Sequence, residues 1–280
     1  MAMQCDVVLH HGNSIVQHGR VNNRVYVMKL APADIPEIIR YADDLIRREG
    51  YTKIFVKVPE STVDIFSRAG YITEATVPFF FRGKDPAVFM AKYSDPARKE
   101  TPDATIIAEV LSAALGYAGK RILPELPEGF SLMYATPGDA TEIAALYRLV
   151  FKTYPFPIHD PEYIRESMQG KIRYVTIRKS HLLAAVASCE IDTENLNAEV
   201  TDFATNPLFQ GRGFAGILLN RMEADLKNEG ILLAYTIARA ISRPVNGVFA
   251  GAGYQYAGLL PNNTNICGSL ESMNVWYKRL

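Results

Sequence analysis

Asn206-Pro207-Leu208-Phe209-Gln210-Gly211-Arg212-Gly213-Phe214-Ala215-Gly216 is the stretch on which the reading of this chain turns. A strand-like run, Glu199 to Ala204, leads into it. A strongly periodic helix, Ala215 to Glu229, leads out, with Leu218, Leu219, Met222 and Leu226 on one face and Gly230 as its stop. Glycines let the backbone come close to a ligand, and a helix N-terminus offers N–H groups and the positive end of a dipole. The stretch therefore reads as a pyrophosphate site.

Two motifs overlap there. Gly211, Gly213 and Gly216 spell G-x-G-x-x-G, the dinucleotide fingerprint. That loop turns directly out of its strand and has an acidic residue about 20 positions on. Here the connector Asn206 to Gln210 intervenes, and the next strand, Leu232 to Ile237, ends in Ala238-Arg239 with no carboxylate. Read from Gln210, the residues Gln210, Gly213 and Ala215 spell Q-x-x-G-x-A. This resembles the acetyl-CoA loop of the GNAT superfamily of N-acetyltransferases. The resemblance implies an α/β GNAT fold with a mixed, mostly antiparallel central sheet, and acetyl-CoA as co-substrate. It implies that Gln210, Gly211, Arg212, Gly213, Phe214 and Ala215 hold the pyrophosphate, with the backbone of Phe203, Ala204 and Thr205 beside the pantetheine arm. A glycine-rich turn without a ligand is the plainer alternative.

Composition sets the limits. With 280 residues, 48% hydrophobic and 21% charged, the chain has ample material for a core and room for two domains. Thirty basic residues balance thirty acidic ones, so nucleic acid is not an expected partner. Cys5, Cys189 and Cys267 are isolated, which fits a reducing compartment and offers no metal site. No run approaches a membrane span and no signal peptide is recognisable. The expectation is a soluble, cytoplasmic protein with no metal and no membrane partner.

Residues 129–280 read as a catalytic domain. Helices are expected after Asp139 and after Asp160-Pro161, strands over Arg173–Lys179, Leu182–Asp192 and Glu199–Ala204, then the loop and its helix. Strand Leu232–Ile237, a helix from Pro244 to Ala252 and strands Gln255–Leu260 and Ser272–Tyr277 complete it. Residues 1–95 repeat the second half of this pattern. Helix, Gly50, strand, helix, Gly70-Tyr71 and two strands parallel helix, Gly230, strand, helix, Gly253-Tyr254 and two strands, and Asp34 is the expected cap of the first helix. This copy is degenerate, because Lys29-Leu30-Ala31-Pro32-Ala33 has no glycine with which to wrap a pyrophosphate. Residues 96–128 are expected to be a linker with a packing helix, Ala104–Leu115.

Acetyl transfer needs a neutral amine. An alkyl ammonium of pKa about 10.4 costs roughly 4–5 kcal/mol to deprotonate at pH 7, so a carboxylate base is wanted. Glu199, eleven residues before Gln210, matches the general-base position of one branch of the superfamily. Asp202 is the second candidate, expected by strand alternation on the opposite face, and Glu190 the third. Many members carry a tyrosine acid where this chain has Phe249. Tyr254, Tyr256 or water are the substitutes, since a thiol of pKa about 8.5 leaves readily. Asn246 is expected on the surface.

The loop Tyr154-Pro155-Phe156-Pro157-Ile158-His159, with Tyr154, Phe156 and His159, is the candidate acceptor wall. The whole chain resembles β-lysine N-acetyltransferases. That resemblance rests on the C-terminal unit and on two strings without an evident role, Asn22-Asn23-Arg24-Val25-Tyr26-Val27-Met28-Lys29-Leu30 and Tyr51-Thr52-Lys53-Ile54-Phe55-Val56-Lys57-Val58-Pro59. It implies a small-molecule amine acceptor, the ε-amine of β-lysine. Such an acceptor needs an arginine and acids, and Arg165, Arg173, Asp160, Asp192 and Asp202 are available. Acetylation of protein lysines or N-termini, or non-catalytic acetyl-CoA sensing, are the alternatives. A homodimer is compatible with all three.

Overall fold

The computed structural model describes residues 6–120 and 124–280; Cys5 lies outside the described residues. The N-terminal part runs β1 (Val7–His11), β2 (Ser14–Gly19), β3 (Arg24–Lys29), α1 (Glu37–Glu49), β4 (Lys53–Pro59), α2 (Val63–Arg68), β5 (Ile72–Phe81) and β6 (Asp85–Tyr93). Helix α3 (Ala104–Gly116) follows and packs against a helix near the far end of the chain. The C-terminal part runs β7 (Phe130–Tyr134), α4 (Ala140–Val150), α5 (Pro161–Gln169), β8 (Ile172–Lys179), β9 (Leu182–Asp192) and β10 (Asn197–Thr205). It continues with α6 (Phe214–Asn228), β11 (Leu233–Arg239), α7 (Arg243–Gly251), β12 (Gln255–Ile266) and β13 (Ser269–Arg279); α7 is the helix that α3 meets. Among the described residues, no helix is long and apolar enough to cross a membrane.

Among the described residues, thirteen strands join one mixed sheet, in the order β1-β2-β3-β4-β6-β5-β12-β13-β11-β10-β9-β8-β7. The order reads alike from both sides of its middle. Strand β3 lies parallel to β4, which pairs antiparallel with β6, which pairs with β5. In the same way β10 lies parallel to β11, β11 pairs antiparallel with β13, and β13 with β12. The two copies meet where Gly258 of β12 faces Ala75 of β5. A Cβ at Gly258 would stand 2.3 Å from the Glu74 carbonyl oxygen, so only glycine lets these strands touch.

The sheet folds back on itself about this seam. Alternation gives each strand two faces. Val25, Val27, Ile54, Val56 and Met90 pack under α1, and Ala198, Val200, Ala234 and Trp276 pack under α6 and α7. The inner faces then meet: Tyr26, Phe55 and Phe89 of the N-terminal copy share a core with Leu233, Tyr235, Met273 and Val275. Lys53, wholly buried, ties the seam by bonding Glu74 at 2.9 Å and the Pro261 carbonyl at 2.9 Å.

Two expectations need correction here. Asp34 does not cap α1, whose N-cap position is Pro36; its carboxylate accepts from Asn13 N and Ser14 Oγ of the first hairpin instead. Asn246 is not a surface residue. Fully buried, it donates to the Arg239 and Ser242 carbonyls and accepts from Asn274 and Trp276 Nε1, tying α7 to β13.

Candidate active site

Strand β10 keeps its antiparallel partner β9 from Asn197 to Thr205, but it stays with β11 only where Asn197–Glu199 face Leu233–Tyr235. Beyond Glu199 the two parallel strands part, although both continue to Thr205 and Arg239. The wedge so made exposes the inner backbone edge of Phe203–Thr205. Unspent N–H and C=O groups on such an edge can receive an extended, strand-like ligand.

The mouth of the wedge leads to the glycine loop. Asn206 accepts from Leu208 N, Pro207–Phe209 form one 3-10 turn, and α6 starts at Phe214. Gly211 and Gly213 have φ of +77° and +75°, a conformation that costs any L-residue with a Cβ about 1–2 kcal/mol. A Cβ at Gly211 would meet nothing within 4 Å, so the loop is open on that side. The first intrahelical bonds run from Gly216 and Ile217 to the Gly213 carbonyl, so the N–H groups of Phe214 and Ala215 come before them. No acidic residue occupies the first turn. The electrostatics and space at this end suit an anion.

The base of the wedge carries the acids. Glu199 sits opposite Tyr235 on β11 and opposite Glu190, an exposed residue, on β9. Burial pushes the Glu199 carboxyl above its usual range; the Lys57 charge and a hydrogen bond from Tyr235 oppose this, while Glu190 and Asp202 add to it. Asp202 stands on the same side of the sheet, against the alternation expectation. A bulge between Thr201 and Ala204, with Asp202 at φ +55°, inserts a residue and reverses the parity of the strand. Phe203 consequently turns to Phe249 on the α7 side, at 5.5 Å between ring centres, while Ala204 packs under α4. The Asp202 carboxylate accepts from Ser188 Oγ at 2.5 Å, from Thr201 Oγ1 at 3.3 Å and from the Tyr154 hydroxyl. Burial outweighs these bonds and leaves its pKa raised.

The structure thus gathers Glu199, Asp202, Glu190 and Tyr154; the loop carrying Phe156 packs on the α4–α5 cluster, and its Pro155 carbonyl accepts from Gln17 of β2. It does not bring in His159, which turns back onto the Tyr147 and Phe151 backbone at the end of α4; burial and Arg148 lower its pKa. Nor does Tyr254 join. Its ring lies behind Phe249, 5.0 Å away, in the core under α6, and burial together with Glu223 keeps its hydroxyl protonated. Tyr256 packs on Trp276 beside the same core.

The remaining charges come from a direction the sequence did not suggest. Lys57 of β4 donates to the Tyr235 hydroxyl at 3.1 Å and lies 5.7 Å and 5.4 Å from the Tyr26 and Tyr235 ring centres. Arg24 of β3 also acts on Glu199. A lysine and an arginine inside strands that otherwise read as buried were the available signal.

The family model described as "Acetyltransferase (GNAT) family" matches residues 140–250, from α4 through the wedge and glycine loop into α7. A β-lysine N(6)-acetyltransferase of Methanococcus maripaludis is 37% identical over 97% of this chain and 98% of its own. The chain belongs to the GNAT acetyltransferase family. The N-acetyltransferase YodP of Bacillus subtilis is 30% identical over 95% of this chain and 96% of its own. A β-lysine N(6)-acetyltransferase of Methanosarcina mazei is 31% identical over 81% of this chain and 91% of its own. These alignments run far beyond the GNAT segment, so the N-terminal copy is shared with the relatives.

Proposed function

We propose that this acetyltransferase acetylates the ε-amine of β-lysine, producing the net-neutral solute Nε-acetyl-β-lysine. The observation that carries the chemistry is the parted β10–β11 pair with Glu199 at its base and the open glycine loop at its mouth. The acceptor follows from the two β-lysine N(6)-acetyltransferases that this chain resembles.

Gln210 to Ala215 would hold the pyrophosphate of acetyl-CoA through backbone N–H groups, and the free edge of Phe203–Thr205 would line its pantetheine arm. When bound there, acetyl-CoA supplies an activated acyl thioester. Glu199 takes the proton that the attacking ammonium must lose, directly or through water. Its raised pKa suits that role, because a base nearer the working pH transfers protons with less driving-force loss. Asp202, held by Tyr154, Ser188 and Thr201, keeps the bulge and the acceptor loop in place and leaves the proton to Glu199. With phenylalanine at 249 and Tyr254 behind it, the departing thiolate takes its proton from water.

The test is thiol release from acetyl-CoA with β-lysine, lysine, spermidine and a lysine peptide as acceptors, with the product located by NMR. Acetylation of β-lysine at its ε-nitrogen, at the highest kcat/KM of the set, is expected. Preference for the peptide would transfer the reading to protein acetylation, and binding without turnover would make the protein a sensor.

A further inference from the structure

Two buried cations act on Glu199, Lys57 and Arg24, and both come from the N-terminal strands. Each cation expected from the C-terminal domain is spent elsewhere. Arg165 pairs with Glu162 on the surface of α5, and Arg173 makes two bonds to Glu229. Of the expected acids, Asp160 caps α5 and Asp192 closes the β9–β10 turn through Asn195.

Lys57 differs from all of these. Among the described residues it forms no ion pair, although Glu199 lies close enough to act on it. Of its three donors, the bond to the Tyr235 hydroxyl is one, and the ammonium lies over the Tyr26 and Tyr235 rings. Arg24 stands beyond it on β3, wholly buried, bonded to the Asn263 carbonyl at 2.5 Å and to Gln17 at 3.4 Å, with its Nε unpartnered. Glu199 acts on both cations, and Glu190 and Asp202 act in turn on Glu199. A buried cation near one carboxylate but not ion-paired with it has charge and donors left for an anion from outside.

We propose that Lys57, backed by Arg24, is the subsite for the carboxylate of an amino-acid acceptor, so that the N-terminal copy sets substrate specificity while the C-terminal copy supplies the chemistry. The inference rests on the reading of the site as an amine acetyltransferase. A zwitterionic diamine is then held at both ends: the carboxylate on Lys57, the reacting amine at Glu199 and the second ammonium towards Glu190. A diamine without a carboxylate would leave the lysine unmatched and lose affinity.

The test compares β-lysine with 1,4-diaminopentane, its counterpart lacking the carboxylate, on the full-length enzyme. Wild type is expected to prefer β-lysine. In Lys57→Met, which keeps an unbranched side chain but removes the charge, the ratio of the two kcat/KM values is expected to fall about 10- to 100-fold, the scale of one charge-assisted contact, and Lys57→Arg to restore most of it. Calorimetric titration of each acceptor is expected to show the same change in relative affinity. An equal loss on both acceptors, accompanied by a shift of the acid limb of the pH profile, would overturn the proposal and make Lys57 a positioning residue for Glu199. An unchanged ratio would also overturn it. Failure of wild type to acetylate either compound would instead remove the amine-acetyltransferase reading.

Discussion

The two strand-to-helix turns, β3 to α1 and β10 to α6, occupy equivalent places in the two copies and differ in what they leave open. Between Lys29 and Glu37 the chain carries Pro32 and Pro36, and Glu37 puts a carboxylate in the first helical turn. Asp34 is there too, filling the space that Gly12 leaves; a Cβ on Gly12 would stand 2.4 Å from its carboxylate. Between Thr205 and Phe214 the chain carries Gly211 and Gly213 in left-handed conformations and no acid in the first turn of the helix. One turn is filled and negative, the other open with its N–H groups forward. An anion would be repelled by the first and held by the second. On the proposed reading, similar topology would carry two uses: the C-terminal half holds the co-substrate and the N-terminal half faces the acceptor.

The strongest way to break this contrast is to make the second turn resemble the first. Gly213→Asp adds a side chain where φ is +75° and a negative charge at the helix N-terminus; acetyl-CoA affinity is expected to fall by at least about 100-fold, or ~3 kcal/mol, in a calorimetric titration. Next in size, Glu199→Gln is expected to lower kcat about 10²- to 10³-fold near neutral pH with little change in acetyl-CoA affinity. Its pH–rate profile should lose the acid limb belonging to the Glu199 carboxyl, which burial places above the ordinary glutamate value. A smaller effect is expected from Phe249→Tyr. If water protonates the thiolate, restoring the hydroxyl changes kcat by less than about tenfold; a larger gain would show that an acid was missing.

The smallest effect is on stability. The folded-state pKa of Glu199 is raised, so its protonated form is favoured in the fold, and that stabilisation is lost as pH rises through the raised value. Glu199→Gln is therefore expected to melt higher than wild type at pH 8, with the difference vanishing near pH 4. Melting curves at the two pH values check the sign.

Much of this was legible in the sequence. The glycine loop, the helix behind it and the Gly-Tyr repeat of the two copies rest on local signals, which short-range sterics make explicit. Asp202 was placed on the wrong face because alternation assumes an unbroken strand, and the bulge after Thr201 is set by pairing with β9. The first hairpin was missed because β1 is a short, largely exposed edge strand with little apolar contrast. Asn246 looked like a surface residue, since its partners Asn274 and Trp276 lie a strand away in space and far along the chain. Lys57 and Arg24 escaped for a different reason. Their strings were visible, but only the fold-back of the sheet brings them to Glu199.

The claim that one copy binds and the other recognises is tested most directly by the stoichiometry of acetyl-CoA binding to the full chain. Calorimetry on the wild-type protein is predicted to give one site per chain, and Gly213→Asp is predicted to remove it. Two sites per chain, or a single site that survives Gly213→Asp, would contradict the account.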